Sequence, residues 1–464
     1  MKTLWGGRFK KEMHPLLKCF SYSLFADYRL LEAELCVDEA WVKMLARVGL
    51  LTRTESRKLQ RALKTIGKEL GLKDPHDTVE RKYLNRYEDI HTLIQAKLEE
   101  KVGGLAKKIH AGRSRNDLVV TSTKVYLRDK IAAINAKAVH LQSALVGCAE
   151  KVGGTAVAGM THLKKAQPVL LAHHLLAYVE MLDEDRSRLE DAKKRIDVLP
   201  LGSGALAGSS LPIDREFLAE ELGFSKIARN SMAAVSDRAF LTEFMSHLAI
   251  LWMHLSRLAD DFILWNSEPF HYVELDDAFA TGSSLMPHKK NPDVFELIRG
   301  RSAVIFGYLQ SLLVVQKGLP LTYNRDLQED KPGVFDAISK TELACEVLAL
   351  TLESVTFNPQ ALAESVQDDH LFATDILEYL VKKGVPFREA HETVGKAVAY
   401  ALEMQKPLSD LSVKEWKRFS KVFGMDISDL FDAQTSVKAK KTIGSTNPFM
   451  VQREISKWKR LLHA

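Results

Sequence analysis

The chain has 464 residues, 46% hydrophobic and 27% charged, with 65 basic against 60 acidic side chains and a formal charge of +5. These are the proportions of a globular protein of two to four domains with a large core. Basic residues are dispersed among acids without interleaved aromatics, which argues against a nucleic-acid partner, and no stretch approaches the length of a membrane span.

The opening MKTLWGGRFKKEMHP lacks the apolar core of a secretory signal. Cys19, Cys36, Cys148 and Cys345 are far apart and outside any CxxC pair, so disulfide frameworks and zinc ribbons are disfavoured and a reducing, cytoplasmic setting is expected. A first helical region ends near HAGRSRND, residues 110–117. There Arg113 and Arg115 can grip a carboxylate while Ser114 or Asn116 caps the next helix; an interdomain salt bridge is the competing reading. From Leu127 the apolar residues Ile131, Ile134, Ala138, Leu141, Leu145, Cys148 and Val152 follow in alternating steps of four and three, the seam of a long helix. GMTHLKKAQP, 159–168, reads as an irregular connection; its His162 suits proton transfer near neutral pH, although a solvated histidine is the plainer reading. A second helix lies between Pro168 and Pro200. The segment 199–214, LPLGSGALAGSSLPID, is too glycine-rich for helix and reads as a linker. A third helix runs from Phe240 through Trp265 and stops before Pro269.

TGSSLMPHKKNPD, 281–293, then breaks the pattern, because Gly282 and Pro287 oppose helix. Asn291 reads as an N-cap with Pro292 at the first position of a fourth helix that continues to about Gly318. Two hydroxyls and two ammonium groups ahead of a helix N-terminus favour an anion; a polar surface loop is the bland alternative. TYNRDLQEDKPG, 322–333, supplies Tyr323, Asn324, Gln328 and Lys331 as mixed donors and acceptors, and a fifth helix follows Pro332 and fades near Phe357. Period-two alternation is nowhere sustained, so the expected fold is all-α: a long central bundle over 113–361 forming an oligomer core, flanked by smaller, mostly helical domains at 1–112 and 362–464. Metal-ligand spacings, a phosphate loop, a strand-borne GxGxxG and a GxSxG elbow are absent from the sequence. The expectation is side-chain proton transfer beside an anionic substrate, without metal or cofactor.

GSSLMPHKKNPD closely resembles the signature loop of the fumarase/aspartase superfamily, GSSxMPxKxN, whose lyases remove a group beta to a carboxylate and release fumarate. LWGGRF (4–9), EDIH (88–91), GRSRND (112–117), THLKKAQP (161–168), VLPLGSGALAG (198–208), TYNRDLQEDK (322–331) and ATDILEYLVKKGVPFREAH (373–391) narrow the resemblance to the argininosuccinate lyase family, over essentially the whole chain and in the family's order. The resemblance implies reversible elimination of argininosuccinate to L-arginine and fumarate through an aci-carboxylate. It implies Ser283 as the base, Lys289 and Asn291 as stabilisers of the developing charge, and His162 as the acid for the leaving guanidino nitrogen, oriented by Glu296. Ser23, His91, Arg115, Asn116, Thr161, Tyr323, Gln328 and Lys331 are implied substrate contacts. A homotetramer is implied too, each active site combining motifs from three subunits, with no cofactor. Two positions depart from the family: His288 stands where Gln is common, and SVKAKKTIGSTNPFMV (436–451) keeps only part of a pattern nearer GGTAP. Adenylosuccinate lyase is the rival enzyme, disfavoured by KKNPD, GRSRND and TYNRDLQEDK. A structural delta-crystallin-like role is the rival from another class, disfavoured by retention of His162, Ser283, Lys289 and Glu296.

Overall fold

The structure is a computed structural model describing residues 10–71, 81–84 and 86–462, so the LWGGRF match lies outside the described residues. The principal helices are α1 (Leu31–Arg47), α2 (Arg53–Leu70), α3 (Ile90–Val102), α4 (Arg115–Val152), α5 (Leu171–Ile196), α6 (Ala239–Asn266), α7 (Asp293–Gln316), α8 (Pro332–Ser354), α9 (Ala373–Lys382), α10 (Phe387–Glu403) and α11 (Pro448–Leu462). The five long helices expected from the apolar seams are α4 to α8, and the fold is all-α with a few two-stranded sheets. The chain divides into two compact units, one of Met1–Ala136, Asp185–Trp252 and Ser302–Leu343, the other of Lys137–Glu184, Met253–Arg301 and Ala344–Ala464. Each of α4 to α8 contributes residues to both.

In the first unit α2 shows how local sequence sets an element. Thr52 accepts the Glu55 amide at 3.2 Å while Glu55 accepts the Thr52 amide at 2.9 Å, a reciprocal cap that satisfies two otherwise orphaned donors. Leu59, Leu63, Ile66 and Leu70 then bury one face, in one core with Trp41, Met44 and Leu45 of α1 and Leu93 and Leu98 of α3. The glycine-rich stretch is not a free linker. The Gly202 and Gly204 amides both donate to Asp117 Oδ2, at 3.0 and 2.8 Å, and both glycines sit at positive φ. Arg215 reinforces the turn by donating to the Leu199, Leu201 and Ala228 carbonyls. A Cβ on Gly202 would stand 2.9 Å from the Arg215 side chain, so glycine is required there by space as well as by φ.

In the second unit the expectation of an irregular connection at 159–168 is overturned. Strands β1 (Ala156–Thr161) and β2 (Lys164–Leu170) pair antiparallel, with Pro168 opposite Ala158. Lysines, glycine and proline hide the alternation, yet both strands lie at an edge, where proline's missing donor is tolerated. Side chains from later in the chain complete the ribbon: Ser365 accepts the Ala158 amide at 3.2 Å and Thr446 accepts the Leu170 amide at 2.7 Å. A separate core surrounds Trp416 and Phe423 with Ile376 and Leu380 of α9. Beside it, Asp375 accepts from Ser436 and Lys440, each at 2.6 Å. The start of α7 also differs from expectation. Asn291 belongs to a short strand, β4 (Lys290–Asn291), paired with β3 (Thr281–Gly282), and the helix begins at Asp293, its Phe295 and Glu296 amides donating to the Pro292 carbonyl.

Candidate active site

In the first unit a cavity of about 230 Å³ is lined by Ser23, Asp27, Glu88, Asp89, His91, Arg115, Asn116, Val119, Arg238, Tyr323, Arg325, Leu327, Gln328 and Lys331. Seven of the residues singled out in the sequence therefore converge: Ser23, His91, Arg115, Asn116, Tyr323, Gln328 and Lys331. Local structure explains how. Ser114 accepts the Asn116 amide at 3.2 Å and donates its own amide to Asp117 at 2.9 Å, which starts α4 and leaves Arg115 in its first turn. A cation there opposes the helix dipole. It is offset by Glu88 and Asp89, each 3.3 Å from the guanidinium, while Thr92 accepts from it at 2.8 Å. Asp89 caps α3 by accepting the Thr92 amide at 2.7 Å, and this fixes His91 one position into that helix. Asn116 donates to the Ala205 carbonyl at 3.1 Å, so the ordered glycine-rich turn also positions it.

The opposite wall comes from 322–331. Arg325 and Gln328 donate to the Ser21 carbonyl at 2.8 and 3.1 Å, and Arg325 reaches Glu88 at 3.2 Å. Asp330 takes one cation on each oxygen, Lys331 at 2.6 Å and Arg238 at 2.9 Å, with all three side chains buried. Burial alone would push the Lys331 ammonium down, but Asp330 and Asp27 outweigh it and hold the pKa above its usual value. Burial raises the Asp27 carboxyl, against the opposing pull of Lys331 and the Ser23 hydroxyl. The cavity thus offers Arg115, Arg238, Arg325 and Lys331 beside Asp27, Glu88 and Asp89. Such a lining suits a small ligand carrying both carboxylates and cationic nitrogen.

Arg113 is not part of this set. Its side chain is buried against Asp38 at 2.6 Å, a salt bridge within the first unit rather than the expected interdomain one, and of the two arginines the cavity takes Arg115. Asp27 and Arg238 escaped sequence reading. Asp27 had a faint signal, lying four residues after Ser23; an isolated arginine in SDRAF had none. Glu88, Asp89 and Arg325 sat inside quoted motifs without being assigned a role.

The remaining predicted residues belong to the second unit and do not line this cavity. Thr161 ends β1, and His162 and Leu163 form the two-residue turn to β2. Both turn residues hold positive φ, 55° and 57°, a conformation that costs a non-glycine residue about 1–3 kcal/mol. His162 is thereby exposed at a tip. Ser283 follows β3, and its Oγ accepts the amides of Leu285 at 3.3 Å and Met286 at 3.0 Å. Lys290 is held by Glu274 at 2.9 Å and Asp277 at 2.8 Å, whereas Lys289 is exposed and has no ion pair among the described residues. Glu296 is exposed on the first turn of α7 and makes no hydrogen bond to His162. Among the described residues no cluster of three or more His, Cys, Asp or Glu side chains is placed to hold a metal, and no helix is long and apolar enough to cross a membrane.

The geometry can be set beside known proteins. A lyase family model matches residues 7–307, and a model of the argininosuccinate lyase C-terminal region matches 370–438. The chain is 46% identical over 456 residues to an argininosuccinate lyase of Symbiobacterium thermophilum, covering 98% of each. It is 45% identical to that of Desulforudis audaxviator, covering 100% of this chain and 99% of the relative. Among solved structures, an EDDS lyase variant with bound fumarate superposes with a TM-score of 0.84 at 26% identity, covering 97% of this chain and 90% of the other. A class II fumarase from Schistosoma mansoni shares the fold, with a TM-score of 0.75 at 16% identity, over 91% of this chain and 96% of that one.

Proposed function

This chain belongs to the argininosuccinate lyase family, a carbon–nitrogen lyase family forming L-arginine and fumarate, and from that premise we propose how its own residues carry the reaction. The observation that carries the proposal is the convergence of Ser23, His91, Arg115, Asn116, Tyr323, Gln328 and Lys331 on one cavity of mixed charge. Its cations take the carboxylates of argininosuccinate, and Asp27, Glu88 and Asp89 face its cationic nitrogens.

Ser283 removes the proton from the carbon beside the succinyl carboxylate. A serine hydroxyl is a weak base, and what supports the assignment is that two backbone amides already donate to its Oγ, an arrangement that stabilises the alkoxide. The electron pair left on carbon is delocalised into the carboxylate, where Lys289 and Asn291 stabilise the added charge. The carbon–nitrogen bond then breaks, and His162 gives a proton to the departing guanidino nitrogen, with Glu296 orienting the imidazole and Thr161 touching substrate. Fumarate and arginine account for every atom.

These groups act in a homotetramer in which other copies of the chain bring the 159–168 and 281–291 segments to each cavity. Its support is α7, which exposes Leu297, Val304, Phe306, Leu313 and Val314 on more than one side, apolar surface that water disfavours and neighbouring copies would cover. The assembly works in the cytoplasm on a small-molecule substrate. We keep domain limits of 1–112, 113–361 and 362–464, of which the last is supported by the self-contained core around Trp416. The test is fumarate absorbance from purified protein offered argininosuccinate and adenylosuccinate in parallel. Release from the first alone is expected; release from the second moves the assignment to a purine substrate.

A further inference from the structure

Two histidines, the buried His91 and the half-buried His110, belong to one polar cluster in the first unit, and their hydrogen-bond partners differ in charge. His110 Nε2 lies 3.0 Å from the neutral amide oxygen of Gln95. Burial, followed by Arg113, Arg115 and His91, drives its pKa down to about 4, so it is uncharged. His91 is more deeply placed, yet its Nδ1 lies 2.5 Å from Glu34 Oε1. Burial again pushes downward, yet Glu34 and then Asp89 overcome it and lift His91 to about 9. Glu34 is 1% exposed, and its second oxygen accepts the Ser122 hydroxyl at 2.6 Å. A carboxylate so deeply buried is costly unless each oxygen is matched, and here each is. It does not line the cavity; His91 does.

We propose that Glu34 is a positioning residue for the lyase reaction: it binds His91 through Nδ1 and so presents Nε2 to the cavity as a donor for a substrate carboxylate. The proposal rests on the reading of His91 as a substrate contact. Charge at this point needs an anchor, because burial and Arg115 disfavour the imidazolium, while Glu34 first and Asp89 second offset them, with Asp27 and Asp38 adding to the acidic surroundings. An amide or carbonyl partner would orient the ring equally well but would leave it neutral, as Gln95 leaves His110.

The test is the pH dependence of kcat/KM for argininosuccinate between pH 6 and 9.5, followed by fumarate absorbance, for wild type, Glu34→Gln, His91→Gln and the double variant. Wild type should keep its binding until a basic limb near pH 9. Glu34→Gln, which preserves shape and the Ser122 contact, should move that limb down by more than one pH unit. At pH 8 it should raise KM at least tenfold while changing kcat less than threefold. His91→Gln should abolish the limb, and the double variant should add nothing to it. A Glu34→Gln enzyme with an unshifted limb, or one losing kcat equally at every pH, overturns the proposal. Should Glu34→Gln not fold, a wild-type limb in His91→Gln overturns it as well. A wild type that releases no fumarate defeats the functional reading itself, which separates the two failures.

Discussion

The cavity of the first unit and the 281–291 loop of the second are built on opposite plans. In the cavity most charged side chains have a charged partner: Arg115 with Glu88 and Asp89, Arg325 with Glu88, Arg238 and Lys331 with Asp330, and His91 with Glu34. The loop is mostly exposed and is held by a two-residue bridge, a turn on Ser283 and the exposed Lys290 ion pairs. Burial makes the cavity's electrostatics strong and its geometry fixed, whereas water screens the loop. The cavity proposed for binding is thus preorganised within one unit, and the proposed turnover falls to a segment whose own chain invests little stability in it.

Substitutions can break that contrast. The largest effect is expected at Ser283→Ala, which should lower kcat by about a thousandfold or more, in the range seen for lost nucleophiles and bases, while isothermal titration still detects argininosuccinate and size measurements still give the wild-type assembly. Retained turnover there removes Ser283 as the base. His162→Asn should lower kcat by about 10²–10⁴-fold, the usual worth of a general acid, with the melting curve unchanged because the side chain is exposed.

In the cavity the same size of change should fall on stability instead. Asp330→Ala leaves Arg238 and Lys331 buried without their shared counter-ion, and about 3–5 kcal/mol should be lost in urea unfolding. A loss below about 1 kcal/mol would mean that water reaches the pair. The His91–Glu34 pair makes a pH-dependent contribution. His91 is raised from 6.5 to about 9 on folding, so this stabilisation is complete below about pH 6.5 and disappears as pH rises through about 9. The unfolding midpoints of wild type and His91→Gln should therefore converge between pH 6.5 and 9.5. The smallest effect belongs to the loop: Lys290→Ala breaks only exposed ion pairs and should cost less than about 1 kcal/mol.

Long helices were legible because burying one face of a helix demands apolar residues every three or four positions; α5 to α8 begin and end within a few residues of where that seam does, and α4 ends with its seam at Val152 but begins at Arg115, well ahead of Leu127. The β1–β2 ribbon was not legible, since it is completed by Ser365 on β1 and Thr446 on β2, which lie 207 and 276 residues further along the chain from the amides they accept. Nor was the order of the glycine-rich turn, which depends on the buried Asp117 accepting two of its amides. In the site, motif residues such as Arg115 and Gln328 announced themselves. Asp27 and Arg238 did not, because their meaning arises only from Lys331 and Asp330 beside them.

Sequence by itself determined the helical class, the family and the identity of most cavity residues, because periodicity and contiguous motifs are local properties of a chain. Tertiary structure alone decided that Arg115 lines the cavity while Arg113 faces Asp38, and that His91 is charged while His110 is neutral. The reason is that desolvation and Coulomb interaction depend on distance in space, and residues as far apart in sequence as Glu34 and His91 set each other's charge only after folding brings them within hydrogen-bond reach.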